Sequence, residues 1–410
     1  MKYLIDLSLF KRNRNFSLIF FGQFISLFGT MITSVALPFQ IYGLTKSTLM
    51  VGLLSLCQLL PLIFTALAGG VFADRHNRKK MLLVAETGLF CCCLLLMCNA
   101  YRWHSLIILF VVATVLSSLT GFHRPALESI VQQVVAKKDM PVVSAVGTFK
   151  FSVGLIVGPA IGGIIIARYG VVFTFLVDAC TFLISFMCIY FIKNIATPAF
   201  DKNETAMAAL KTGINYARSR QDLLGTYFVD FFAMIFGMPN ALFPAIAEHF
   251  GGAKVLGFLY SAPAVGALIV SFYGRWARYP YHGRAISYAA IFWGIAIIGF
   301  GLATQFYAAL IFLSLAGMMD AISGIYRGIM WNQTIPNHLR GRLSGIEMIS
   351  YLSGPRLGDT EAGLVAAAFG ITASVVSGGV FCIISVAVCS YCLPKFWHYK
   401  ATEPMEIIKA

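Results

Sequence analysis

A set of ionisable residues interrupts long apolar runs in this 410-residue chain: His123, Arg124, Glu128, Lys150, Asp178, Asp230, Asp320, Arg327, Glu347, Arg356, Asp359 and Glu361. A charge in an apolar medium is costly, so each is expected to face a partner or a polar cavity. Two kinds of chemistry suit them. Opposite charges can form structural ion pairs. Alternatively, basic groups can hold an anion while a desolvated carboxylate titrates nearer neutrality and carries a proton. Asp320 and Arg356 fall near the middle of their runs, with Asp359 and Glu361 further toward one end. Asp320 and Arg327 are seven residues apart, so they share a helix face. They are expected to be too distant to touch, and each to pair with another helix. A polar stripe at helical spacing, Gln23, Ser26, Thr30, Thr33 and Ser34, has a counterpart in Ser55, Gln58 and Thr65. Lining a cavity and hydrogen bonding between helices are both open to these stripes.

The elements that must position these residues follow from composition. The chain is 59% hydrophobic and 12% charged, with a mean hydropathy of +0.80. Ordinary soluble domains are about 25% charged. A soluble enzyme, a disordered scaffold and a disulfide module are therefore excluded. A bilayer span takes about 20 apolar residues. Runs over 16–42, 49–72, 81–100, 105–135, 142–167 and 170–192 precede a polar segment, and runs over 222–248, 253–275, 285–303, 305–332, 340–368 and 371–393 follow it. The expected fold is an all-α membrane protein of 12 transmembrane helices. Its domains are a six-helix bundle over 1–192, a cytoplasmic linker over 193–221, and a second six-helix bundle with a short cytoplasmic tail over 222–410. Of the 31 Lys and Arg residues, only Lys46, Arg102, Arg168 and Lys254 fall in loops opposite the basic ones. That bias puts both termini and the linker in the cytoplasm. Met1–Asn15 is short and polar, without a small-residue cleavage site, so no cleavable leader is expected. The ten cysteines lie in or at the ends of apolar runs and are expected to be small buried hydrophobes without metal.

Two motifs stand out. Gly70-Val71-Phe72-Ala73-Asp74-Arg75-His76-Asn77-Arg78-Lys79-Lys80 closes the second run. Its glycines permit close helix approach, and Asn77 is expected at a positive-φ turn position. A weaker echo, Gly274-Arg275-Trp276-Ala277-Arg278 with Gly283-Arg284, follows the eighth run. The fifth run carries Gly154-x-x-x-Gly158-Pro159-x-x-Gly162-Gly163, a small-residue face that packs backbone to backbone.

The first motif resembles the signature loop of the major facilitator superfamily (MFS). The resemblance implies the MFS fold of two six-helix bundles and alternating access about a midplane site. It also implies a gating role for Gly70, Asp74, Arg75, Arg78 and Lys79. Glu128, Arg342 and Glu347 are assigned to the same gating network. The second motif is similar to the MFS pattern of antiporters and points to export. Within the superfamily the chain most resembles the siderophore (enterobactin) exporter branch. That similarity rests on Leu7–Ser17, Arg124-Pro125-Ala126, Asp178, Leu339–Gly345 and Gly354–Gly363.

The resemblance implies a secondary active exporter, not an enzyme. It would move a siderophore or similar amphiphilic metabolite across the bacterial inner membrane by proton antiport. The expected substrate and proton residues are Gln23, Thr30, Gln58, Arg124, Lys150, Asp178, Asp230, Asp320, Arg327, Arg356 and Asp359. No cofactor or metal is expected. The partners are the substrate, protons, the lipid bilayer and a periplasmic or outer-membrane efflux protein, and no nucleic acid. A multidrug or macrolide efflux pump is the alternative. A membrane acyltransferase would rest on His123-x-x-x-x-Glu128 alone, which has the wrong acid. No phosphate-binding loop is present to support ATP-driven transport.

Overall fold

The computed structural model describes residues 8–193, 215–272, 279–336 and 340–401, and leaves out the side chains of residues 67, 70, 71, 73–75, 340–349 and 351. Most of the expected linker and the echo at Gly274–Arg278 therefore lie outside the described residues. So do the side chains of Gly70, Asp74, Arg75, Arg342 and Glu347.

The chain is an all-α membrane protein. Its helices in order are α1 (Ser8–Arg12), α2 (Arg14–Thr45), α3 (Thr48–Arg75), α4 (Arg78–Cys98), α5 (Leu106–Val134), α6 (Met140–Tyr190), α7 (Gln221–Gly237), α8 (Phe243–Phe250), α9 (Ala253–Phe272), α10 (His282–Leu302), α11 (Phe306–Thr334), α12 (Arg340–Phe369), α13 (Ile371–Cys392) and α14 (Pro394–Trp397). Among the described residues, 10 helical stretches are long and apolar enough to cross a membrane. One of these holds two expected spans, because α6 loses helical geometry at Gly170, where φ is 77°. A positive φ is the conformation glycine adopts without a Cβ penalty. α12 has the length to span at 30 residues, but Arg356, Asp359 and Glu361 make it more polar than those ten.

Local chemistry sets the helix ends. Asn13 caps α2 by accepting from the Phe16 amide at 3.0 Å, and Lys46 closes it in the left-handed region. After α4 a π-turn runs over Asn99–Trp103. The buried Asn99 side chain then ties both directions to Ser105, accepting from its amide at 2.9 Å and donating to its carbonyl at 3.1 Å. The expected run 222–248 is not continuous. α7 stops at Gly237, Met238 takes φ −122° and ψ 83°, and a 3₁₀ turn over Asn240–Leu242 leads into α8. Pro239 explains the break, since proline removes a backbone donor and disfavours helical geometry in the residue before it.

The chain divides into two compact units: 1–46, 57–203 and 247–261 form one, and 47–56, 204–246 and 262–410 form the other. In the first, α2 lies along α6, and α4 packs on α5 and α6. Close approach depends on missing side chains: a Cβ on Gly121 would meet Thr65 Oγ1 at 2.0 Å, and one on Gly22 would meet Cys188 Cβ at 2.8 Å. In the second, α10 packs on α11 and α13, while α7 packs on α12 and α13. Phe396, fully buried, fills a notch at Gly225, where a Cβ would lie 2.1 Å from its ring. Lipid is as apolar as the helix interiors, so this association rests on close packing and hydrogen bonds rather than hydrophobic transfer. The outward faces are correspondingly apolar: Ile107, Phe272 and Tyr391 are among the most exposed side chains.

The expectation of buried cysteines needs correction. Cys92, Cys93 and Cys382 are buried, but Cys57, Cys91, Cys98, Cys180 and Cys392 are exposed on helix surfaces. In a bilayer an apolar residue has no need of the protein interior, so hydrophobicity does not dictate the inward face. No His, Cys, Asp and Glu cluster suited to a metal occurs among the described residues.

Candidate functional site

The polar stripe on α2 turns out to be two interhelix anchors. Gln23 Nε2 donates to Glu86 Oε1 on α4 and to Ser185 Oγ on α6, each at 2.9 Å. Ten residues on, Thr33 donates to Asp178 on α6. Asp178 also accepts from Cys93 Sγ at 3.3 Å and Thr181 Oγ1 at 3.2 Å. Gly29 makes room for it, as a Cβ there would sit 2.2 Å from Asp178 Oδ1. Thr30 and Ser34 are exposed and bond their own helix, to Ser26 O and Met31 O. Gln58 is half-buried, and its carbonyl accepts from Ser117 at 2.7 Å.

In the second unit, Asp230 on α7 forms an ion pair with Arg327 on α11. Both residues are 9% exposed. Arg327 Nη2 also lies 3.5 Å from Asp320 Oδ1 on its own helix, and the Asp320 side chain remains 41% exposed. The expectation that Asp320 and Arg327 cannot touch is thus corrected. Helix side chains tilt toward the N-terminus, so the long Arg327 side chain leans back along α11 and spans the two turns.

Asp359 on α12 is held from two directions. It accepts from Ser55 Oγ on α3 at 2.7 Å and from the Ala241 amide at 2.9 Å. The Ala241 amide lies in the 3₁₀ turn that follows the break at Pro239. Such a turn leaves amide donors without partners in its own helix, and a carboxylate satisfies them. Thr360 reinforces the contact by donating to Gly52 O at 3.2 Å. One turn before Asp359, Arg356 is half-buried, and among the described residues no carboxylate lies within ion-pair distance of it. Lys150 is half-buried with its ammonium 5.9 Å from the Phe20 ring. Arg124 and Glu128 pair with each other at 3.3 Å on an exposed face of α5.

At the basic loop after α3, Asn77 takes φ −65° and caps α4, accepting from the Lys80 amide at 3.1 Å. The expected positive φ is therefore wrong, because the side-chain oxygen of an Asn is also a preferred helix cap and that role governs here. Lys79 Nζ donates to Tyr190 O at 2.8 Å and Ile192 O at 2.6 Å, at the end of α6. The Tyr190 carbonyl is one of the last of its helix, left unpaired within it and at the negative end of its dipole, and Ile192 follows just beyond the cap. Arg78 is half-buried. A cleft of about 340 Å³ beside the loop is lined by Phe72, His76, Lys80, Val84, Leu119 and Phe122 among others. In the second unit, Trp331 donates to Thr226 Oγ1 at 2.9 Å and stacks on Tyr227. Tyr399 donates to Gln333 Oε1 at 3.1 Å. Burial raises the pKa of the Tyr399 phenol and keeps it a donor.

The fifth-run motif lies against α2 and α9. A Cβ on Gly158 would meet Met31 Cβ at 2.4 Å, one on Gly162 would meet Ile32 Cα at 3.1 Å, and one on Gly163 would meet Ala253 O at 2.5 Å. Gly154 faces Leu27, and a Cβ on Gly257 of α9 would meet Pro159 O at 2.4 Å. The motif's helix continues through Pro159.

One group escaped the sequence reading. Glu86 is completely buried on α4 and binds Gln23, Ser185 and His123. It stands close to the basic start of its run, which disguised it as a flanking charge. Its place between Ala85 and the small residues Thr87 and Gly88 was the available signal.

A polytopic helical body with buried ionised groups tied between helices is the architecture of a membrane transporter. Comparison with known proteins agrees. Residues 8–407 match the family described as transmembrane secretion effector. The chain belongs to that family of the major facilitator superfamily. It is 25% identical over 415 residues to the enterobactin exporter EntS of Escherichia coli (strain K12), covering 98% of this chain and 97% of that protein. The exporter of the same name from Shigella boydii serotype 4 (strain Sb227) is similar to the same extent. Among solved structures, a POT family transporter in complex with 5-aminolevulinic acid aligns at TM-score 0.74 and 12% identity, over 94% of this chain and 97% of that one. A bacterial homologue of the human lysosomal transporter Spinster aligns at TM-score 0.72 and 13% identity, over 95% and 98%. These likenesses establish the fold.

Proposed function

We propose that this chain exports a siderophore or a similar amphiphilic metabolite from the cytosol across a bacterial inner membrane, by proton antiport with alternating access. The observation that carries the reading is the end-to-end similarity to enterobactin exporters. The twelve-span topology, its division at 193–221 and its cytoplasmic termini belong to the same proposal and rest on the basic-loop bias.

The geometry supplies groups suited to such work. Arg356 is a half-buried cation whose neighbour Asp359, one turn on, is hydrogen-bonded to Ser55 and the Ala241 amide, which suits Arg356 to an anionic cargo. Asp320 shares Arg327 with Asp230 while keeping much of its own carboxylate uncovered, a fit for a proton carrier. In this reading Arg124, Lys150, Asp178 and Asp359 serve the same pathway. Gly70, Asp74, Arg75, Arg78, Lys79, Glu128, Arg342 and Glu347 form the gate, and an efflux protein of the outer envelope receives the cargo.

A partition assay tests it. The gene is deleted, cells are starved of iron, and iron-chelating metabolites inside and outside are quantified by mass spectrometry. Accumulation inside with loss from the medium, restored by the wild type and not by Arg356→Ala, is expected. An unchanged partition overturns the siderophore cargo, and gain of resistance to unrelated drugs on overexpression would then favour a multidrug pump. Transport that survives complete collapse of the proton gradient overturns the antiport.

A further inference from the structure

A second acid–base cluster lies in the first unit, centred on Glu86 and His123, neither of which is assigned a role above. Glu86 has no exposed surface, and the side chain of its neighbour His123 is 12% exposed. His123 Nε2 lies 3.0 Å from Glu86 Oε1. The same oxygen accepts from Ser185 at 2.7 Å and from Gln23 at 2.9 Å. Gln23 Nε2 is also 3.5 Å from His123 Nε2. Glu86 Oε2 is buried without a hydrogen-bond partner. Four helices, α2, α4, α5 and α6, thus converge on one carboxylate, and every donor crowds a single oxygen.

We propose that Glu86 and His123 form a proton-binding pair. One proton passes between the carboxylate and imidazole Nε2, entering and leaving through the partly exposed His123. In one arrangement Glu86 is ionised and His123 is an imidazolium that donates from Nε2 and holds its second proton on Nδ1. In the other the Nε2 proton has moved to the carboxyl, and His123 is neutral with its remaining proton on Nδ1 and a bare Nε2. The Gln23 amide accommodates both, because its two N–H groups face three acceptors: Glu86 Oε1, Ser185 Oγ, and His123 Nε2 when it is bare. The Ser185 hydroxyl rotates to suit.

The remaining groups around the pair sharpen the case. α6 contributes Asp178 and the partly buried Cys188. Asp178 is already committed to Thr33, Cys93 and Thr181. α5 contributes Arg124 and Glu128, which pair with each other on an exposed face. α2 contributes the neutral Gln23. No cation other than His123 lies within ion-pair distance of Glu86 among the described residues. The pair stands on its own geometry, and only its use in driving export rests on the exporter reading.

The test therefore needs no cargo. Purified protein in lipid is titrated with acid while infrared difference spectra follow the carbonyl stretch of protonated carboxylic acids. A titrating band is expected in the wild type. Glu86→Gln removes one component of that band, and His123→Gln displaces the midpoint of the same component by a pH unit or more. A band unchanged in Glu86→Gln, or a component midpoint unmoved in His123→Gln, overturns the pair. If Glu86→Gln fails to fold, Glu86→Asp replaces it. That variant must keep a band with a displaced midpoint, and an identical titration overturns the proposal.

Discussion

Arg327 on α11 and Asp230 on α7 meet as an ion pair between two helices, with only about a tenth of either side chain left uncovered. Removing one partner strands the other charge. Arg327→Met is expected to destabilise the protein by about 3–5 kcal/mol, and pairing it with Asp230→Asn recovers most of the loss. Thermal unfolding in detergent measures both. Equal stability of the single and double variants would show that the charges do not act together.

Lys79 caps the end of α6 with two hydrogen bonds. Lys79→Met is expected to cost about 1.5–3 kcal/mol, the range for hydrogen bonds to charged groups. Hydrogen exchange at residues 187–192 is the sensitive readout. It should rise there first and leave the start of α6 unchanged.

Asn77 separates two readings of its loop. As a helix cap, Asn77→Ala costs about 1 kcal/mol and Asn77→Gly only a few tenths. A position needing positive φ would instead gain from glycine. Unfolding midpoints of the two variants decide, and a glycine variant more stable than wild type contradicts the cap.

Gly163 and Gly257 bring α6 and α9 into backbone contact, with Cβ clearances of 2.5 and 2.4 Å to carbonyl oxygens. Gly163→Val is expected to force these helices apart at a cost of about 1–3 kcal/mol. Spin labels on the two helices, read by double electron–electron resonance, report the separation. An unchanged distance means the backbone gives way elsewhere.

Lys46 is raised above its ordinary value by its hydrogen bond to Glu248. A group whose folded value exceeds its unfolded value stabilises below the unfolded value and loses that contribution as pH rises through the folded one. Both values lie in the alkaline range, so the pair adds no pH dependence near neutrality. Both side chains are more than half exposed, and salt screens the pair. Unfolding of Lys46→Met should match wild type from pH 6 to 8.

Much of this was legible in the residues. The spans were marked by apolar runs, and Gly170 is the first residue of the run that follows a short gap at 168–169. The family followed from the loop at Gly70–Lys80. What failed did so for identifiable reasons. Hydropathy does not see the break at Pro239, because the residues on both sides are apolar. Residue spacing places backbone atoms but ignores side-chain reach, which hid the contact of Arg327 with Asp320. Asn77 has two local uses, and sequence alone favoured the wrong one. Glu86 needed its partners on three other helices before its position had meaning, and none of those is near it in the chain.

Phe396 sits in the notch at Gly225, and the Gly283 backbone packs closely against its carbonyl. In the order of synthesis, α7 and α10 are complete long before Phe396 emerges. The notch must therefore wait, open, while the helices between are made and inserted. The inner packing of this unit becomes final only when that ring arrives, so its assembly is gated by a late, long-range closure rather than by pairing of successive helices.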